Sequence, residues 1–316
     1  MINIKRKVNH DTTENLLTLK MQNSKDRDKF NQKPTNETAD SSKVLVDIQW
    51  IKEHLHDPKV RIAEVNYNID SNYMLGHIPG SVLFDWKTMI NDPITRNIIS
   101  KKTYEDLLQK NGVNNDTTLV LYGDFSNWFA AYAFWVFKHY GFDDLRLMNG
   151  GRKKWLQEAM PIDKNIPTYP KGNFMAPKQC ANTRVFMPYI RDNLNSPKRI
   201  LIDVRSPEEY TGEVLAPREY PTEHALRGGH IPEAVNFPWS KAVNQDGTFK
   251  SLEELRDLFG SMEISSDKEV ITYCRIGERS SMIWFVLKYL LGYPNVKNYD
   301  GSWMEWGNTV GNSIER

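Results

Sequence analysis

The sequence predicts an α/β protein built twice in tandem, each copy a mainly parallel sheet flanked by helices. Three observations carry that expectation. The chain has 316 residues, more than a usual single domain and enough for two cores. A set of short motifs occurs twice in the same order, and within each copy short apolar runs alternate with amphipathic stretches.

The repeat begins with Gly76-His77-Ile78-Pro79, which returns as Gly229-His230-Ile231-Pro232, each followed at the same spacing by a valine, Val82 or Val235. Leu119-Val120-Leu121-Tyr122 then matches Val270-Ile271-Thr272-Tyr273. An apolar helical stretch follows in each copy, Ala130 to Tyr140 and Met282 to Leu291, closing on Gly141 or Gly292 as a C′ residue. Asn149-Gly150-Gly151 with Trp155 parallels Asp300-Gly301-Ser302 with Trp306, and Tyr122 and Tyr273 stand as far apart as the two tryptophans.

Individual elements follow from pattern. Ile200 to Val204 and Val270 to Tyr273 have the length and branching of buried strands. Leu252, Leu255, Leu258 and Phe259 recur at helical spacing, so Ser251 to Phe259 reads as a helix, as does Met282 to Leu291. A proline-rich stretch from Pro161 to Pro177 separates the copies. The expected organisation is an arm over 1–42, a first copy over 43–160, a linker over 161–184 and a second copy over 185–316. The arm is rich in Lys, Asn, Asp, Thr and Ser without an apolar face, a composition that predicts disorder.

Composition excludes several function classes. A formal net charge of +1 gives no overall attraction for nucleic acid or an anionic membrane. The longest apolar run, Phe129 to Phe137, falls well short of the roughly 18 residues that a membrane span needs. The two cysteines, Cys180 and Cys274, cannot build a disulfide framework, which predicts a reduced intracellular protein. The arm lacks the apolar stretch of a signal peptide, and its Asp11, Glu14, Asp26 and Asp28 do not suit a transit peptide, so a cytoplasmic location is expected.

Duplication separates fold from chemistry. Residues kept by both copies, such as His77 with His230 and Trp155 with Trp306, are expected to serve turns and packing; residues of one copy alone are candidates for a reaction. The difference falls after the Tyr122/Tyr273 strand. The second copy reads Cys274-Arg275-Ile276-Gly277-Glu278-Arg279-Ser280-Ser281 where the first reads Gly123-Asp124-Phe125-Ser126-Asn127-Trp128, placing Gly123 opposite Cys274. Cys274 closes a strand and precedes a helix, at the sheet edge where α/β folds hold ligands. Successive N–H groups of such a loop, the helix N-terminus and Arg275 with Arg279 are expected to stabilise a thiolate and lower its pKa. The competing reading is a buried structural cysteine. Cys180, near the linker with no cation cluster, reads as incidental.

These motifs, together with Leu201-Ile202-Asp203-Val204-Arg205 and Asp300-Gly301-Ser302-Trp303-x-Glu305-Trp306, resemble the two-domain rhodanese sulfurtransferases over residues 43 to 310. The resemblance implies two tandem rhodanese-like domains, the first without a catalytic cysteine. It also implies ping-pong transfer in which Cys274 takes the outer sulfur of thiosulfate, a small anionic donor, and passes it to cyanide or a thiol acceptor. No metal or organic cofactor is implied. The Cys-Arg-Ile-Gly-Glu-Arg-Ser loop is most similar to bacterial-type thiosulfate sulfurtransferases.

The chain departs from the family pattern in two places. Ile276 stands where animal thiosulfate enzymes carry a lysine, and Glu209 where a substrate-binding arginine is usual. Substrate charge is then expected to be met by Arg275 and Arg279, with Arg205, Arg218 and Arg227 as further candidates, and Ile276, Gly277, Glu278 and Ser280 shaping the loop. A 3-mercaptopyruvate sulfurtransferase is the main alternative. A phosphatase of the same fold would have five residues between cysteine and arginine, whereas four separate Cys274 from Arg279. A non-catalytic binding module describes the first copy better than the second.

Overall fold

A computed structural model describes residues 41–67, 72–177, 181–217 and 224–316. All but the last two residues of the expected arm lie outside them, as do Cys180 and Arg218. Ser41–Lys43 makes a short 3₁₀ turn leading into the first strand.

Both copies build the same sheet. The first contains β1 (Leu45–Val46), β2 (Val60–Asn66), β3 (Val82–Asp85), β4 (Thr118–Tyr122) and β5 (Leu145–Met148), in the order β1-β5-β4-β2-β3. The second contains β6 (Arg184–Val185), β7 (Arg199–Asp203), β8 (Val235–Asn236), β9 (Glu269–Tyr273) and β10 (Val296–Tyr299), in the order β6-β10-β9-β7-β8. Every strand pair is parallel. Register confirms the equivalence, since Glu64 faces Tyr122 as Asp203 faces Tyr273. Near-continuous apolar character in β4 and β9 suits strands covered on both faces.

Four helices position the site: α1 (Trp128–His139), α2 (Leu252–Gly260), α3 (Glu278–Phe285) and α4 (Ser302–Asn308). Ser251 caps α2 through a reciprocal box with Glu254, so the helix starts one residue later than its apolar spacing suggests. Helix α3 begins at Glu278, four residues before the expected Met282. Its first turn is polar and reads as loop by hydropathy, but the side chains are buried with partners supplied. Ser280 Oγ donates to Asn298 Oδ1 (2.7 Å), and Ser281 Oγ donates to Gly277 O (2.7 Å). Gly141 and Gly292, at φ 78° and 74°, take the left-handed conformation expected of C′ residues.

The residues shared by the copies hold the fold. Tyr122 Oη accepts from Ile78 N (3.0 Å) and Tyr273 Oη from Ile231 N (3.1 Å), so each Gly-His-Ile-Pro turn is pinned to the strand before the variable loop. His77 stacks on Tyr73 and His230 on Tyr210, with ring centroids 3.8 and 3.6 Å apart. Trp155 and Trp306 are buried, each indole N–H capping a carbonyl seven or fewer residues on.

Residues 161–177 are packed against the first sheet rather than standing clear of it: Asp163 pairs through its backbone with His77, and Phe174 is buried among Tyr104 and Phe142. One core runs through both copies. Phe134 of α1 meets Phe285 of α3 and Tyr289 with ring centroids 4.9 and 5.3 Å apart. Among the described residues no helix is long and apolar enough to cross a membrane.

Candidate active site

Cys274 follows β9 directly and is fully buried. Gly277, at φ 100°, takes a backbone conformation open to glycine, which turns its N–H onto Cys274 Sγ at 3.1 Å. Glu278, the first residue of α3, brings Oε2 to 3.3 Å from the same sulfur and accepts from the thiol. Cys274 N donates to Ser302 Oγ (3.2 Å), and Ser302 Oγ donates to Tyr299 O (2.7 Å), tying the loop to the end of the neighbouring strand. Cys274 O accepts from Trp303 N (3.0 Å) and Arg275 O from Met304 N (3.0 Å). The loop is therefore clamped between the starts of α3 and α4.

Electrostatics differ from the sequence expectation. Instead of falling, the Cys274 pKa is raised, first by burial and then by the Glu278 carboxylate; Arg279 and Ser280 pull the other way without prevailing. Arg279 is already engaged, donating from Nη1 to Glu209 Oε2 (2.7 Å) and from Nη2 to Glu209 Oε1 (3.0 Å). Both partners are almost wholly enclosed. Burial alone would raise the Glu209 pKa, but Arg279 and then Arg205 hold it below the usual carboxylate value. Glu209 thus takes up the arginine that was expected to meet substrate.

The other candidates separate likewise. Arg205 is buried against Asp203, with Nη2 at 2.6 Å from Oδ2, and also donates to Gly229 O (2.7 Å), which serves the repeat turn. Arg227 caps the carboxyl end of α4, donating to Gly307 O (2.7 Å), Thr309 O (2.8 Å) and Asn312 O (2.9 Å). Both fold the second copy instead of facing the sulfur. Arg275 is buried within the loop, and Ile276, also buried, lines a cleft beside it.

Sequence reasoning missed the contribution of the first copy. Arg96, in the loop after β3, donates to Ile276 O and pairs with Asp300 at 3.1 Å. Arg184 at the start of β6 takes the second Asp300 oxygen at 2.5 Å, and Tyr132 Oη of α1 donates to Asp300 Oδ1 (3.1 Å). The signal available was the carboxylate of Asp300 directly after a largely buried strand, which demanded a cation without saying where it would come from. A cleft of about 710 Å³ between the copies is lined there by Trp86, Arg96, Phe186, Ile276, Asp300 and Met304, among others. On the other flank Trp128 of α1 packs edge-on to Trp239 (4.8 Å), and the Arg279 guanidinium sits 5.6 Å from the Trp128 ring.

Comparison with known proteins agrees with this layout. The model of the rhodanese-like domain matches twice, over residues 47–158 and 187–309. The sulfur carrier protein TtuD of Thermus thermophilus is 52% identical over 276 residues, spanning 86% of this chain and 96% of the relative. A Haloferax volcanii protein provisionally named a thiosulfate sulfurtransferase is 46% identical over 278 residues, again spanning 86% and 96%. Among solved structures, the anaerobic ergothioneine biosynthesis enzyme of Chlorobium limicola superposes with a TM-score of 0.76 at 26% identity, over 88% of this chain and 71% of that one.

Proposed function

Because the chain belongs to the rhodanese-like family, a sulfurtransferase family, we propose that it moves a sulfane sulfur as a persulfide on Cys274, drawing it from thiosulfate and giving it to a thiol. The carrying observation is the Cys274 loop, whose Gly277 N–H lies 3.1 Å from the sulfur and whose first-copy counterpart is Gly123. In the forward step the thiol proton leaves and the thiolate attacks the outer sulfur of thiosulfate. The S–S bond of the donor breaks and sulfite departs with the electron pair. A thiolate acceptor then takes the outer sulfur of the persulfide and regenerates the Cys274 thiolate; cyanide, leaving as thiocyanate, serves as the generic acceptor.

Glu278 is the proton acceptor in this reading, because its carboxylate already accepts from the thiol, with Oε2 3.3 Å from Sγ. It suits a thiol whose resting pKa is raised: the proton must be removed when donor arrives, and a carboxylate in contact can take it. The Gly277 N–H then faces an anion, first thiolate and afterwards the persulfide. A cytoplasmic setting belongs to the same proposal, since a reactive unpaired thiol persists where thiols are kept reduced.

Thiosulfate as donor is supported by relatives such as the Haloferax protein. The pairing of Arg279 with Glu209 favours a second reading, 3-mercaptopyruvate, because a dianion finds less unpaired positive charge than the sequence promises. A phosphatase reading has less support, since Arg279 is turned onto Glu209 and the loop is short by one residue. Incubating the protein with each donor and measuring intact mass tests the proposal. A gain of one sulfur atom on wild type, absent from Cys274→Ser and larger with thiosulfate than with mercaptopyruvate, is the expected result. Faster loading by mercaptopyruvate would reassign the donor, and loading of Cys274→Ser would overturn the persulfide.

A further inference from the structure

A second cleft opens at the opposite edge of the first sheet, where the strands begin. It holds about 510 Å³ and lies between the start of β2 and residues 169–172 of the segment joining the copies. Arg61, the second residue of β2, lines it while being only 8% exposed. Its Nε is sealed from solvent with no hydrogen-bond partner, and among the described residues no carboxylate lies within ion-pair distance of its guanidinium. The guanidinium carbon stacks 3.2 Å from the centroid of the Tyr169 ring, and Tyr169 Oη donates to Gly80 O at 2.6 Å. An enclosed cation without a counter-ion is costly, and folded proteins normally supply one.

The second copy shows what a supplied counter-ion looks like. There the repeat turn runs Gly229-His230-Ile231-Pro232-Glu233, and the Glu233 carboxylate takes both Arg199, at the start of β7, and the N–H of Asn195. In the first copy the turn runs Gly76-His77-Ile78-Pro79-Gly80, and the arginine sits one position further along its strand, which turns its side chain to the other face of the sheet, away from any counterpart of Glu233. Gly80 and Glu233 have the same backbone conformation, φ 74° and 65°, so the glycine is not required by the turn. The first copy has an enclosed arginine, a cavity lined by Gly80, and, among the described residues, no carboxylate within ion-pair distance of that arginine.

We propose that this cleft binds a small organic acid, its carboxylate paired with Arg61 and its apolar body against Pro58, Pro79 and Tyr169. Lys171 in the lining adds a second positive charge, set against the single acid Asp57. Charge-assisted, bidentate pairing with a guanidinium selects a planar carboxylate, and the proline and tyrosine walls select a body with a flat apolar face. The site is independent of Cys274, and its occupancy is expected to leave sulfur loading unchanged.

The test uses benzoate as probe on the full chain, by calorimetric titration and by thermal midpoint at constant ionic strength. Saturable binding with a Kd of about 1 mM or tighter is expected for wild type, weakened about tenfold or more in Arg61→Gln. Gly80→Glu, whose Cβ would stand 3.2 Å from Tyr169 Oη at the wall of the cleft, brings in bulk and negative charge and is expected to abolish benzoate binding. Wild type that shows no saturable binding overturns the proposal. So does an affinity that Arg61→Gln and Gly80→Glu both leave unchanged. Sulfur loading of each variant at the wild-type rate shows that any loss is local to the cleft.

Discussion

The loops after β4 and β9 begin from equivalent strands and solve the same problem differently. Each must tie its first N–H to the end of the neighbouring strand. In the first copy Asn127, inside the loop, does this: its Oδ1 accepts from Gly123 N (2.9 Å) and its Nδ2 donates to Met148 O (2.7 Å). In the second copy the tie comes from outside the loop, from Ser302 Oγ between Cys274 N and Tyr299 O. The two solutions exclude each other, because a Cβ at Gly151, the counterpart of Ser302, would lie 2.2 Å from Asn127 Oδ1. Making the tie from within forces Phe125, Ser126 and Asn127 into left-handed backbone, at φ 47°, 54° and 69°. Making it from without leaves residues 275–278 able to curl round a sulfur. A reactive loop depends on a serine at the start of the next helix as much as on its own cysteine.

The largest effect that would break this comparison is the transplant of reactivity. Cys274→Ser is expected to lose all persulfide loading, read by intact mass, and adding Gly123→Cys is expected not to restore it. A Cβ at Gly123 would stand 2.4 Å from Val65 O, so this second substitution should also cost about 1–3 kcal/mol in a denaturant titration.

Next in size is the buried pair beneath the loop. Glu209→Gln strips the enclosed Arg279 of its two-pronged partner and leaves only Glu278 Oε1, 3.6 Å from Nε, and a loss of about 3 kcal/mol at neutral pH is expected. The pH dependence follows from the lowered Glu209 pKa. Its contribution is present above the unfolded carboxylate value and fades as pH falls through the lower folded value, so the gap between wild type and variant should narrow in acid. A gap independent of pH would contradict the pairing.

Glu278→Gln sharpens the comparison, because it should make the thiolate easier to form while slowing turnover. Removing the carboxylate takes away one cause of the raised thiol pKa, so the pH midpoint of iodoacetamide labelling should shift down. It also removes the proton acceptor, and kcat/KM should fall by about 100-fold. A lower midpoint with unchanged turnover would leave Glu278 a neighbour and not a participant.

The smallest effect expected is at Arg96. Arg96→Met removes one charged donor from Ile276 O and one of two arginines from Asp300, and roughly tenfold slower loading is expected. Arg96→Lys should recover part of it, since a lysine keeps the charge but not the two-pronged reach. If both variants load at the wild-type rate, the first copy does not position the loop.

Much of this was legible in the sequence because repetition supplied its own control. The strand equivalence, the turn histidines and the paired tryptophans could be recognised as fold from their double occurrence, and Cys274 stood out because Gly123 did not match it. The start of α3 was hidden by a polar first turn whose partners, Gly277 O and Asn298, become neighbours only on folding. The charge state of the site was hidden for a related reason. Glu209 lies 70 residues before Arg279, and nothing in either segment announces that their side chains will meet. Composition suggested unpaired arginines; topology spent one on Glu209, another on Asp203 and a third on the carbonyls that end α4.

The aromatic contact between Phe134 and Phe285 also bears on how the protein is made. Phe134 is fully buried, yet the residues covering it lie roughly 150 positions further along the chain. At typical synthesis rates of about 5–20 residues per second, the first copy waits on the order of ten seconds or more with that face uncovered. During biosynthesis the nascent chain therefore presents a sticky surface that its own unfinished half must eventually claim, an interval in which a holdase or a sister nascent chain competes for the same aromatic ring.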